Sequence, residues 1–476
     1  MALFGIQVVL TLMVALFLHK FSPYMSLATW LLCSGLVRHV PSSDTELRKL
    51  LGKTQRTKSN KAKRSDARKK EENNGASIQF ISSEPLSIPC NMNIQLRTVN
   101  VDETDLIFQC YYTEYKWLVD FAVSAVIFNI IIEGISCLFP ALYTGARTKG
   151  CYAFLYSTYR RVLFLLTASY WSGDDSGEKS VCLTFGVFFF FLAMAILVVD
   201  ESMLEFNLDS GYEIFSEEAE LFLKKQGFTR EGGSAPIWIF KLALAVISGI
   251  IGAFLGFPGI RISIMFLDLI EQYKSNRLLL VLFYVNFFAP LCLVLLWIKP
   301  LAREYFTSRN NSFSVSDSNF DNIRIGVILL CCLMRFFLTK MHLQAFLDIA
   351  KVKVNRMKRE AGRTNSSALQ KKIFSVFYYL SVASLQYLTP VILLVFLTIS
   401  LRTAGTTDWE STNALMKRLQ KSMLVSNVTV NAVQNLRHVF VSELVRAVTS
   451  YFTWWICLAM FMTSAFGVVY HQVFYV

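Results

Sequence analysis

The sequence predicts an all-α fold, a polytopic transmembrane helical bundle of about nine spans. Three observations predict it. The stretch Val181 to Val199, VCLTFGVFFFFLAMAILVV, runs for about nineteen residues without a charge, the length a helix needs to cross the hydrocarbon layer of a bilayer. Several comparable stretches follow it. Of the 476 residues, 54% are hydrophobic and 17% charged, with 40 phenylalanines, a balance that separates the chain from a water-soluble protein of two or three domains.

The apolar run Ala2 to Leu18 opens the chain. No lysine or arginine precedes it, whereas His19, Lys20 and a dense basic segment follow, the reverse of a secretory signal. It reads as a retained anchor with its N-terminus outside; cleavage would leave eight spans. Trp30 to Val37 is too short to cross and is expected in the interface, completing an N-terminal unit over residues 1–40.

Residues 41–116 form a basic segment, expected to be cytoplasmic and largely disordered. Its centre, Arg48 to Lys70, reads RKLLGKTQRTKSNKAKRSDARKK, too polar to bury a core of its own. So many positive charges hold it on the cytoplasmic side and fix the sidedness of the later loops.

Spans two to four occupy residues 117–199, at Trp117 to Phe139, Cys151 to Trp171 and Val181 to Val199. Counting from the basic segment, the acidic loop 200–236, with Asp209, Glu213, Glu217, Glu218 and Glu220, falls outside. Spans five to seven occupy 237–338, at Ile237 to Phe257, Leu278 to Ile298 and Ile323 to Leu338. Residues 339–372 fall inside and carry Lys351, Lys353, Arg356, Lys358, Arg359, Arg363, Lys371 and Lys372. Within them Leu343, Phe346, Leu347, Ala350, Val354 and Met357 recur at helical spacing. This predicts an amphipathic helix, either lying on the inner leaflet or continuing the seventh span against its neighbours. Span eight covers 373–401 (Phe374 to Leu401), an outside helical loop covers 402–446, and the last span, Ala447 to Tyr470, lies within 447–476.

The formal charge of +13 sits next to apolar runs, so anionic lipid headgroups are the expected partner and nucleic acid is not. Most of the ten cysteines lie in apolar runs, where thiols behave as small hydrophobes and stay reduced. Cys90 and Cys110, in a polar segment, can pair. No CxxC or Cys/His spacing suggests a metal site, and no cofactor motif is present.

Charges inside the spans are the candidates for chemistry. The second span holds Asp120, Asn129 and Glu133, and the third holds Arg160 and Arg161. In an antiparallel hairpin Glu133 and Arg160 differ in depth by roughly 6 Å at 1.5 Å per residue, so an intramembrane ion pair of Glu133 with Arg160 or Arg161 is expected. It serves either as a structural pair fixing the hairpin or as a proton or ion relay beside Tyr152, Tyr156 and Tyr159. Arg335 is expected to snorkel towards cytoplasmic phosphates, and Gln386 to bond between helices.

In the fifth span Gly249, Gly252 and Gly256 recur as GIIGAFLG and run into Pro258 and Gly259. Such spacing allows close helix packing; alternatively Pro258 and Gly259 break the helix as a hinge where Arg261 begins the cytoplasmic turn. The sequons at Asn310 and Asn427 fall in outside loops and are N-glycosylation candidates, while Asn365 falls inside. No HExxH, GxSxG or phosphate-binding glycine loop marks an enzyme, so none is expected.

Several blocks resemble the transmembrane protein 161 family of animals: GIQVVLTLMVA from Gly5, WLLC from Trp30, EYKWLVDF from Glu114, SVCLTFGVFFFF from Ser180 and IGAFLGFPGIR from Ile251. NFFAPLCLVLLWIKP from Asn286, HLQAFLDIA from His342 and FTWWICLAMFMTSAFGVVYHQ from Phe452 extend the resemblance over nearly the whole chain. It implies a family tied to potassium and calcium currents, membrane excitability, cardiac rhythm and tolerance of oxidative stress; an integral multi-pass protein of this kind is expected in the endoplasmic reticulum or plasma membrane. It carries over no catalytic residue, cofactor or ligand. The expected function is non-catalytic modulation of ion currents or ion homeostasis, with channels or transporters as partners. The alternatives are a transporter or channel with its own Glu/Arg path and, third, a membrane-embedded enzyme.

Overall fold

A computed structural model describes residue 20 and residues 26–42, 87–89, 96–138, 176–199, 201–225, 236–307, 317–359, 363–405 and 442–474. In chain order they form α1 (Leu27–Cys33), β1 (Val37–Val40), β2 (Ser87–Pro89), β3 (Arg97–Asn100), α2 (Glu103–Leu106), α3 (Tyr112–Leu138), α4 (Ser176–Val198) and α5 (Leu208–Lys225). There follow α6 (Ile237–Gln272), α7 (Arg277–Leu295), a wide turn at Lys299–Arg303, α8 (Glu304–Thr307), α9 (Asp317–Arg359), β4 (Arg363–Asn365), α10 (Ser366–Tyr378), α11 (Leu380–Gly405) and α12 (Ser442–Phe474).

Helices dominate because hydrocarbon offers no partner for backbone N–H and C=O groups, so an apolar segment must bond them within itself. Six stretches among the described residues are long and apolar enough to cross a membrane: α4, α6, α7, α9, α10 with α11, and α12. Helix α3 covers the expected second span. The first and third expected spans, Ala2 to Leu18 and Cys151 to Trp171, lie outside the described residues.

Two boundaries differ from expectation, and a third decides between two readings. Helix α6 does not break at Pro258 and Gly259 but runs unbroken to Gln272, with its turn at residues 273–276. A proline removes one amide hydrogen, and in a packed bundle neighbouring helices compensate for that loss. Helix α9 runs 43 residues, joining the seventh span and the expected amphipathic helix in one rod. At about 65 Å it is roughly twice the hydrocarbon thickness, so it continues the span beyond the bilayer. The eighth span is interrupted at Tyr379, beside Tyr378, whose carbonyl accepts from the Cys110 amide.

The chain divides into two compact units. The first comprises residues 1–28, 113–342 and 384–476. Its core gathers Phe189, Trp297, Tyr451, Trp455 and Met460 around α6. Both indoles of the Trp454–Trp455 pair donate to backbone carbonyls of other helices, Trp454 to Val294 at 3.1 Å and Trp455 to Ser248 at 3.0 Å. Such bonds anchor helices where lipid provides no hydrophobic drive for association.

The second unit comprises residues 29–112 and 343–383. Two short antiparallel ladders shape it: β1 with β3, pairing Val37 with Asn100, and β2 with β4, pairing Ser87 with Asn365. Within the 41–116 segment β2 and β3 form because they find partners far away in sequence, while its basic centre, Arg48 to Lys70, lies outside the described residues. Leu343, Phe346, Leu347, Ala350, Val354 and Met357 are all buried. Helix α9 thus packs this apolar stripe against protein, as a continuation of the span does and a helix resting on the leaflet does not.

Candidate functional site

Arg335 and His342 are seven residues apart on α9, two turns, and so share a face. That face meets Tyr387 of α11 and Asn286 of α7 in a buried polar layer of the first unit. Pro290 and Pro390 lie within α7 and α11. Each lacks the amide hydrogen that would bond the carbonyl four residues earlier, those of Asn286 and Gln386.

The Tyr387 hydroxyl donates to the Arg335 carbonyl at 3.2 Å and lies 3.4 Å from His342 Nδ1. The His342 ring packs on Tyr387 with centroids 4.7 Å apart, and its Nδ1 bonds the Leu338 carbonyl at 3.0 Å. Arg261 donates to Gln386 Oε1 at 2.7 Å, an interhelical bond between α6 and α11.

Arg335 is 7% exposed. Its guanidinium lies 5.6 Å from the centroid of the Tyr387 ring, and Nη1 points at Met460 Sδ, 3.8 Å away. No carboxylate among the described residues lies within ion-pair distance of it, and its Nε is buried without a hydrogen-bond partner. Asn286 Oδ1 is buried in the same condition. Both residues line a cavity of about 10 Å³ together with Phe266, His342, Met460 and Ser464, room for about one water molecule.

Arg335 therefore does not snorkel. The sequence reading ended its span at Leu338, whereas α9 continues well beyond and keeps the guanidinium inside the bundle. Asn286, His342 and Tyr387 were missed as well. The i, i+7 spacing of Arg335 and His342 and the proline four residues after Asn286 were the available signals.

A second polar cluster joins Glu205, Arg303, Asp321, Arg324 and Arg446. Asp321 Oδ1 accepts from Arg303 at 2.8 Å and from Arg324 at 3.0 Å, and its Oδ2 accepts from Arg446 at 3.1 Å. Glu205 pairs with Arg303 at 2.9 Å and with Arg324 at 3.3 Å. Arg324 is buried and lies 4.7 Å from the Trp297 ring centroid. Glu205, Arg303, Asp321 and Arg446 belong to segments that the charge alternation assigns to the outside, and Arg324 stands at that end of the seventh span.

The glycines of α6 face two helices. A Cβ on Gly249 would lie 3.0 Å from that of Phe190, and one on Gly256 2.7 Å from the Phe185 ring. On Gly252 it would run into Phe189, and on Gly259 into Thr463 of α12. Pro258 is buried between them. Asp120 accepts from Ser26 Oγ at 2.7 Å and from the Ala28 amide at 3.2 Å. The Glu133 side chain, Arg160 and Arg161, and the sequons at Asn310 and Asn427 lie outside the described residues, as does Cys90. Cys292, Cys331, Cys332 and Cys457 are free thiols. Among the described residues no three His, Cys, Asp or Glu side chains converge as metal ligands.

A family model described as Predicted transmembrane protein 161AB matches residues 2–475. The chain belongs to that family. As a member of the transmembrane protein 161AB family it is an integral, multi-pass membrane protein in contact with the lipid bilayer. No solved structure matches it.

Proposed function

We propose that this family member is a non-catalytic membrane protein that modulates potassium and calcium currents, or ion homeostasis more broadly, and thereby excitability and tolerance of stress. The observation that carries the reading is the closed packing of α6. Its glycine face is filled by Phe185, Phe189 and Thr463, and the cavity at Arg335 has space for about one water molecule. A transport pathway needs a hydrated passage, and substrate sites of transporters form at broken helices; α6 is continuous through Pro258, and where the eighth span breaks at Tyr379 the Tyr378 carbonyl is taken up by the Cys110 amide.

The protein instead offers apolar surface. Leu183, Val187 and Phe191 recur every four residues on α4, and Leu330, Leu333 and Phe337 lie on one side of α9, all exposed. Such stripes face lipid or the helices of other membrane proteins, and channels or transporters are the partners the family resemblance favours. Anionic headgroups at the basic cytoplasmic segments complete the contact with the membrane.

The test combines two measurements. Co-expression with potassium or calcium channels is expected to change their currents, and purified protein in liposomes is expected to pass no ion flux. A robust flux from the purified protein would overturn the modulator reading in favour of a transporter or channel. Surface biotinylation separates the endoplasmic reticulum from the plasma membrane, and glycosidase shifts lost in Asn310→Gln and Asn427→Gln identify the glycosylated loops.

A further inference from the structure

We propose that Arg335 holds a halide-sized monovalent anion, chloride in the cell, in the cavity among α6, α7, α9 and α12. Arginine keeps its charge in proteins, and a buried charge requires a counter-charge or a dense set of hydrogen bonds. Arg335 has neither. It meets a thioether sulfur and the face of a tyrosine ring, its Nε–H has no acceptor, and no carboxylate among the described residues pairs with it.

The cavity next to this unmet donor is of the right size and chemistry. At about 10 Å³ it admits a water molecule or a monatomic anion and excludes phosphate, sulfate and lipid headgroups. Water would accept from Nε–H but leave the charge unbalanced, whereas a halide does both. Asn286 also bonds the Tyr387 side chain, and half a turn of its amide exchanges oxygen for nitrogen, so either atom can face the cavity while the other faces the tyrosine hydroxyl. With the NH₂ turned inward, the anion accepts from Arg335 and Asn286 together. The site stands whether or not the protein modulates currents.

The experiment follows the thermal unfolding midpoint of the purified full-length protein in detergent while chloride replaces gluconate at constant ionic strength. A saturable rise of about 2 °C is expected, with bromide able to substitute. Arg335→Gln should abolish the dependence. So should Asn286→Leu, which keeps the arginine and fills the cavity. Equal midpoints in chloride and gluconate for the unsubstituted protein would overturn the proposal, as would an unchanged chloride dependence in Asn286→Leu. Should a variant fail to accumulate, anomalous scattering from bromide-soaked crystals of the unsubstituted protein decides. A peak within hydrogen-bond reach of Arg335 supports the site, and its absence there overturns it.

Discussion

The ring of Phe189 occupies the space in which Gly252 would carry a side chain: a Cβ built on Gly252 would lie 2.5 Å from Phe189 Cβ and Cδ2. Phe189 is fully buried and meets Trp455 edge-on with centroids 5.9 Å apart, so it has nowhere to retreat. Gly252→Ala is expected to cost about 1–3 kcal/mol of stability through overpacking. Gly326→Ala on α9, where nothing lies within 4 Å of the added carbon, should be neutral or stabilising by up to about 1 kcal/mol. Denaturation in detergent compares the two, and equal effects would refute the packing argument. Adding Phe189→Ala to Gly252→Ala should give less than the sum of the single losses, because the ring and the methyl group compete for one space.

The charged cluster predicts a graded response. Asp321 accepts from three arginines, of which Arg324 is 5% exposed and Arg446 50%. Asp321→Asn leaves the buried Arg324 guanidinium with Glu205 alone and should cost about 2 kcal/mol, less than the loss of a fully buried pair because Asp321 is itself partly wet. Arg446→Ala removes only the exposed arm and should cost under about 1 kcal/mol. Comparable losses from the two substitutions would show that burial does not set the strength of this cluster.

Legibility in the sequence followed locality. The apolar runs of α4, α6, α7 and α12 announced themselves because length and polarity are properties of a single segment. The apolar stripe from Leu343 to Met357 was equally visible. The reach of α9 was one of the two readings that stripe allowed, since Lys340 and His342 end the hydropathy of the span without ending its backbone hydrogen bonds; ending the span at Leu338 moved Arg335 from the interior to an imagined interface. The layer of Arg335, Asn286 and Tyr387 is assembled from three helices, and no one of them signals the convergence. The small ladders of β1 with β3 and β2 with β4 were hidden for the same reason: each strand is three or four residues long and acquires its partner only through the fold.

Cys33 provides a pH test outside the spans. Burial, and after it the carboxylates of Glu103, Asp102 and Asp105, push its thiol up to about 11 from 9.0. A thiol whose folded pKa lies above its unfolded value contributes stability that is complete below about pH 9 and is lost as the pH rises towards 11. The thiolate is the reactive form, so alkylation of Cys33 at neutral pH should be slow. Its rate, followed by mass spectrometry, should climb to a plateau only around pH 11. A plateau reached near neutrality would contradict the burial and the acidic surroundings together. Glu103→Gln should move the midpoint down modestly, since burial is the larger cause.

Gln344 holds β1 at both faces of one peptide group pair. Its Oε1 accepts from the Val37 amide at 3.0 Å, and its Nε2 donates to the Val37 carbonyl at 3.2 Å. The side-chain amide thereby acts as a one-residue strand, bonding Val37 as a neighbouring strand would. Gln344→Leu removes both bonds while keeping the volume, and a lost hydrogen bond of about 1 kcal/mol corresponds to a several-fold faster exchange of the Val37 amide. Gln344→Glu keeps an acceptor for the amide but sets a negative oxygen against the carbonyl, so it should retain protection at Val37 N–H less well than glutamine and better than leucine. Hydrogen exchange read by mass spectrometry over residues 29–42 orders the three proteins. Equal protection in all three would mean that the pairing of β1 with β3, and not Gln344, fixes the strand.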